Sequence, residues 1–171
     1  MNYSYPTLPG MFRLPLKLLP NPVGFLGITS ALNTLFDQPL KDDELCFMAG
    51  KHINICVEDA ALNFSLQLTG DRLRAGPAVE RPDLAISGEL YAFLLLGTRR
   101  EDADTLFFRR QIKSEGDTEL GLFVKNFLDG LEPESLTPAY ATLNKLMLQA
   151  LWVAERFPAR TSGNANLISG H

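Results

Sequence analysis

Residues 104–130, DTLFFRRQIKSEGDTELGLFVKNFLDG, constrain the fold of this chain more than any other stretch. They parse as a short aromatic turn, a strand over 111–115, a tight turn and a capped helix. Gly116 supplies the freedom to reverse the chain. Asp117 stands at the N-cap, where its carboxylate can accept the orphan N–H groups of the first turn. Glu119 adds negative charge at the positive end of the helix dipole. Leu120, Phe123, Val124, Phe127 and Leu128 follow at helical spacing and make one apolar stripe. Gly130 falls where a C-terminal cap belongs.

Upstream, the period of the apolar residues is two. Ile53, Ile55 and Val57 alternate with Asn54 and Cys56, and Leu62, Phe64, Leu66 and Leu68 alternate with Asn63, Ser65 and Gln67. This is the pattern of half-buried strands. Residues 44–48 and 51–58 are expected to form a hairpin around Ala49 and Gly50. A turn at Thr69, Gly70 and Asp71 lets residues 72–75 pair back, and residues 76–82 form a loop with two prolines. Residues 83–87 are a further strand, with Leu84 and Ile86 on one face.

Helical spacing frames these strands. A first helix is expected over residues 23–36, with Leu26, Leu32, Leu35 and Phe36 on its apolar side, followed by a charged linker over 38–44. Residues 88–97 are a second, with Leu90, Phe93 and Leu94 buried, and residues 99–104 are charged and exposed. Thr137 and Pro138 open a last helix that Pro158 stops, since proline suits the first helical position. The order of elements lacks the regular alternation of a doubly wound fold, so an α+β layered domain over residues 23–157 is expected. Residues 1–22 are a proline-punctuated arm, and 158–171 a polar tail.

Charge and cysteine content narrow the function classes. The 171-residue chain has net charge −4, which gives no reason to expect a nucleic-acid partner. Residues 1–36 carry Arg13 and Lys17 and no acid, so the remainder is −6. Cys46 and Cys56 are too few for a disulfide scaffold. The expected hairpin pairs Cys46 with Ile53 and puts Cys56 on the other face. No stretch approaches the ~20 apolar residues of a membrane span, and prolines break the N-terminal apolar run. A cytoplasmic protein is expected, with peripheral access to a membrane.

The strings Asp104-Thr105-Leu106-Phe107-Phe108-Arg109-Arg110, Ser114-Glu115-Gly116-Asp117-Thr118-Glu119-Leu120-Gly121-Leu122 and Val124-Lys125-Asn126 resemble the signature of UbiT-type proteins. These are lipid-binding accessory factors of ubiquinone biosynthesis in the wider sterol carrier protein-2 domain superfamily. The likeness follows the order of elements over residues 20–155 and is specific in 104–130. It implies a sterol-carrier-like two-layer domain: a five-stranded sheet, helices covering one face, and an apolar lipid cavity between. It also implies a non-enzymatic role without a cofactor. The ligand would be a prenylated quinone precursor or a phospholipid. The setting would be the oxygen-independent branch of ubiquinone synthesis, beside the UbiU–UbiV hydroxylase pair.

Under that reading, Ile53, Ile55, Val57, Phe64, Leu66, Leu84 and Ile86 share a sheet face. They border a void beneath Phe123, Phe127, Leu143 and Met147, with Phe93 and Phe107 at its edges. In the arm, Phe12, Arg13, Leu16 and Lys17 either pack over the domain or touch a membrane, aliphatic groups inserting while cations meet anionic head groups. Residues 104–110 have two readings as well. Leu106, Phe107 and Phe108 plug the core while Arg109 and Arg110 face water, or the aromatics line the cavity mouth and an arginine meets a phosphate or a partner carboxylate.

Catalytic and metal-binding constellations are scarce. His52 and His171 are the only histidines, and no Gly-x-Ser-x-Gly elbow presents a nucleophile. No cluster has metal-ligand spacing, and no glycine loop cradles phosphate. Three function classes stay open: a holder of quinone precursors, a general phospholipid or acyl carrier, and an enzyme with an apolar substrate.

Overall fold

The computed structural model describes residues 21–131 and 138–156. In chain order the elements are α1 (Asn21–Leu35), α2 (Asp37–Lys41), a 3₁₀ turn (Cys46–Met48), β1 (Ile53–Val57), a 3₁₀ turn (Glu58–Ala60), β2 (Leu62–Thr69) and β3 (Arg72–Pro77). Then come β4 (Leu84–Gly88), α3 (Leu90–Gly97), α4 (Ala103–Phe108), β5 (Ile112–Gly116), α5 (Thr118–Gly130) and α6 (Pro138–Arg156). The fold is α+β, with one five-stranded sheet in the order β3-β2-β1-β4-β5. The central pair β1–β4 is parallel and the other pairs are antiparallel.

The two-residue period fixes the register. Ile53 lies opposite Leu66 and Leu84, Ile55 opposite Phe64 and Ile86, and Val57 opposite Leu62. Leu68 pairs with Leu73 on the edge strand. A one-residue slip would turn every one of these side chains to the other face. That other face carries Asn54, Ser65, Gln67, Arg72 and Arg74. Asn54 brackets the following loop there, its Nδ2 donating to the Val79 carbonyl at 2.8 Å and its Oδ1 accepting from the Val79 N–H at 3.2 Å.

The outer edge of β3 is closed by α1 rather than by a sixth strand. Asn33 Nδ2 donates to the Leu73 carbonyl at 2.7 Å, Asn33 Oδ1 accepts from the Leu73 N–H at 3.0 Å, and Thr29 Oγ1 accepts from the Ala75 N–H at 2.9 Å. Side chains thus satisfy backbone groups that would otherwise invite another chain to pair. This stations α1 beside the sheet, with Ile28 and Leu32 on its inner side and Phe36, one residue past its end, continuing the four-residue spacing.

Several expectations are corrected. Residues 44–48 do not form a strand. Leu45 and Met48 are buried three residues apart, and Met48 N–H donates to the Leu45 carbonyl and Ala49 N–H to that of Cys46, which is 3₁₀ bonding. Only Ala49 bridges the sheet, to Leu68, so Cys46 does not face Ile53. Both thiols are free, Cys46 exposed and Cys56 half-buried. The linker over 38–44 begins as helix α2, which tolerates Pro39 because first-turn N–H groups lack helical partners. Leu26 is exposed, on the side of α1 away from Ile28 and Leu32. In α3 the fully buried residues are Ala92 and Leu95, with Leu90, Phe93 and Leu94 half-buried. Gly130 is the last residue of α5, and Leu131 takes the cap in extended conformation. Residues 99–104 are not all exposed: Ala103 is buried and opens α4.

An apolar cavity as the candidate functional site

A cavity of about 330 Å³ lies between the sheet and the helices, and its wall is made only of apolar side chains. Its floor is Ile53, Ile55, Val57, Phe64, Leu66 and Ile86, all on one sheet face by register. Phe93 of α3, Phe107 of α4 and Phe127 of α5 line it from the helical side. These nine were expected from the sequence.

Leu84, Phe123, Leu143 and Met147 are not on that wall. Leu84 shares the face but is buried beneath α5, its Cδ1 close to Gly121. Phe123 is 47% exposed and stacks on Phe47 at 5.9 Å between ring centroids. Leu143 and Met147 sit on α6, which packs against α3 rather than across the sheet. Tyr140 Oη donates to the Gly97 carbonyl at 2.9 Å, and Met147 Sδ lies over Gly97, where a Cβ would make the methionine shift. Burial raises the Tyr140 hydroxyl above its ordinary pKa.

In their place the wall takes Ile28 and Leu32 from α1, Phe36 just past its end, and Phe47 and Met48 from the 3₁₀ turn. Phe36 meets Phe127 edge-on at 5.4 Å, and Phe47 meets Phe127 at 6.1 Å, so aromatic contacts knit α1, the turn and α5 together. The four-residue spacing of Ile28, Leu32 and Phe36 was the available signal for the α1 wall. Phe47 and Met48 gave none while residues 44–48 read as a strand.

The corner at Gly116 and Asp117 holds α5 over this cavity. Asp117 Oδ1 accepts from the N–H groups of Glu119 and Leu120 at 3.0 Å each, so the N-cap is formed. The Asp117 N–H in turn donates to the Asp83 carbonyl at 2.8 Å. Asp83 Oδ2 accepts the His52 N–H at 2.8 Å, and Lys51 Nζ lies 3.3 Å from Asp83 and 3.4 Å from Asp117. The Leu120 N–H foremost, with Lys51, holds Asp117 below the usual carboxylate range. The His52 N–H does the same for Asp83. Lys51 is raised, chiefly by its hydrogen bond to Asp83. Every charged group here is used in holding β1, β4 and α5 together.

Residues 104–110 divide between their two readings. Leu106 is fully buried core, Phe107 lines the cavity, and Phe108 is 88% exposed. Arg109 lies 3.5 Å from Glu101. The segment is a helix, not a turn, and Asp102 caps it by accepting from the Thr105 N–H at 2.7 Å. His52 sits 2.7 Å from the Gln67 amide through Nδ1. Among the described residues, no three His, Cys, Asp or Glu side chains form a group that could hold a metal. No described helix is long and apolar enough to cross a membrane. The expected membrane contacts Phe12, Arg13, Leu16 and Lys17 lie outside the described residues.

A mixed sheet with a wholly apolar pocket under its helices defines a lipid-carrier class of domain. The chain belongs to the SCP-2 sterol transfer family, whose model matches residues 31–129. Within that family it is of the UbiT type. It is 34% identical over 141 residues to the ubiquinone biosynthesis accessory factor UbiT of Escherichia coli (strain K12), covering 82% of this chain and 79% of that protein. The same figures hold for the protein of that name from Escherichia coli O157:H7. Among solved structures, a UbiJ-SCP2 ubiquinone synthesis protein superposes with a TM-score of 0.54 at 18% identity, over 65% of this chain and 93% of that one. That likeness is one of fold.

Proposed function

We propose that this chain is a non-enzymatic accessory factor of ubiquinone biosynthesis that shelters the isoprenoid tail of a quinone precursor. The observation that carries this is the wall itself, which is all carbon and sulfur side chain. Such a wall offers a tail about 0.8 kcal/mol per buried methylene-sized unit and asks for no hydrogen bond. It has no group placed to do acid, base or nucleophilic chemistry on what it holds. Catalysis on the precursor then falls to partner enzymes, and the UbiU–UbiV hydroxylases of the oxygen-independent branch suit that place. The names of the E. coli relatives support the pathway.

Native mass spectrometry of the purified full chain, with extraction of the released lipid, tests the reading. A prenylated phenol or quinone in the extract is the expected result. Phospholipid alone would mean a general carrier on the same fold. Turnover of a prenylated substrate by the chain without partners would overturn the non-enzymatic role.

A further inference from the structure

We infer that a second, polar subsite on the outer side of the α1–β3 seam receives an anionic head group, while the tail of the same molecule lies in the cavity. This rests on the reading of the cavity as a tail site. An open groove of about 660 Å³ runs along that outer side, between α1 and the edge strand. Leu73 lines both the groove and the cavity, so a single residue's thickness separates the two spaces.

The two sides of α1 differ as the two ends of an amphiphile do. Ile28, Leu32 and Phe36 face the cavity. Ser30, Asn33 and Thr34 line the groove. Across from them stand Arg72 and Arg74, both exposed, on the strand's polar face. Among the described residues neither arginine takes part in a salt bridge, while the acid in the groove wall, Asp37, is already paired with Lys41 at 2.7 Å. Two guanidinium groups outside every described salt bridge suit an oxyanion, such as a phosphate monoester or a carboxylate, because an arginine fork matches its geometry. Leu26, 69% exposed at the groove, would meet the first carbons of the tail.

A molecule with its head in the groove and its tail in the cavity would have to pass through this seam. Described hydrogen bonds across it come from the side chains of Asn33 and Thr29 to Leu73 and Ala75. No backbone ladder crosses it, whereas each strand pair within the sheet has one.

Titration calorimetry on the full chain with farnesyl phosphate, farnesol and inorganic phosphate tests the inference. Farnesyl phosphate should bind roughly tenfold more tightly than farnesol, the factor a single charge-assisted hydrogen bond supplies. The double variant R72Q/R74Q should lose that preference and keep its farnesol affinity. R81Q, which removes an exposed arginine outside the groove, should keep the preference. Thermal melting of each variant confirms that it is folded. A double variant that keeps the preference overturns the subsite. So does inorganic phosphate binding as tightly as farnesyl phosphate, which would make the groove a site for free anions. If farnesol itself fails to bind the wild type, the tail site falls and this inference with it. If farnesol binds and the phosphate adds nothing, only the head-group subsite falls.

Discussion

Asn33 and Leu73 are joined as two paired strand residues would be, the side-chain amide of one exchanging both hydrogen bonds with the backbone of the other. Asn33→Ala leaves a partly buried N–H and C=O without these partners. The expected cost is about 1–3 kcal/mol, the penalty of an unmade hydrogen bond to a buried group. Urea unfolding measures it. The bared edge should also raise concentration-dependent association, visible by light scattering.

Gly116 has φ of +118°, and a Cβ there would run into the Asp83 carbonyl oxygen. Gly116→Ala therefore adds backbone strain of about 1–3 kcal/mol to a clash with a fixed backbone atom. Asp117→Ala removes the cap and the exposed ion pair with Lys51, and should lower Tm by roughly 2–4 °C. The glycine variant should be clearly the less stable of the two in calorimetry. A smaller effect at Gly116 than at Asp117 would show that the turn relaxes.

The same corner predicts an acid limb in stability. Asp83 and Asp117 both titrate below their ordinary 3.8 in the folded chain. A carboxyl lowered on folding gives stability that is full above its unfolded pKa and is lost as pH falls through the folded one. Unfolding free energy should thus begin to drop near pH 4 and keep falling below it. Asp83→Asn should flatten that limb. Lys51 is raised instead, so its contribution holds below about 10.5 and fades only at higher pH.

Cavity and core should respond in opposite ways to mutation. Leu106 is fully buried and not on the cavity wall, so Leu106→Ala should cost about 2–5 kcal/mol. Ile55 is on the wall, and Ile55→Phe has space to grow into. The expected outcome is stability near wild type with tail binding reduced several-fold, read by denaturant melts and farnesol titration. Loss of stability without loss of binding would mean that Ile55 serves the core alone.

For the arm, Phe12, Leu14, Leu16, Leu18 and Leu19 flank Arg13 and Lys17, with no acid before Asp37. Full-length protein should float weakly with anionic vesicles, and removing residues 1–20 should reduce this. The cationic share should weaken with salt, since charges are screened over about 10 Å at 0.1 M. Equal flotation of both proteins would move the docking surface to Phe108, Arg109 and Arg110.

The sheet was readable because period-two alternation is a local property, and the register turned the alternating residues of β1, β2 and β4 onto one face. The Asp117 cap was readable for the same reason, since its partners are two and three residues away. Most of what escaped depended on distant contacts. The sequence spacing of Leu143 and Met147 marks an apolar helix side but not which neighbour it meets, and α3 took it. Leu45 and Met48 fit a strand about as well as a 3₁₀ turn until their hydrogen bonds are seen. The seam between α1 and β3 had no local sign at all, because Asn33 and Leu73 are forty residues apart.

The cavity wall is drawn from α1, the 3₁₀ turn, all five strands and three further helices. A tail within it would therefore be part of the hydrophobic core, in contact with most of the elements that must stay assembled. Whatever binds the folded chain and not the unfolded one stabilises it, by about 2.7 kcal/mol at a hundredfold excess over Kd. Degradation in cells follows the small population that opens. If the cavity holds such a tail, loaded copies should outlast unloaded ones, and the amount of carrier should follow the supply of its ligand.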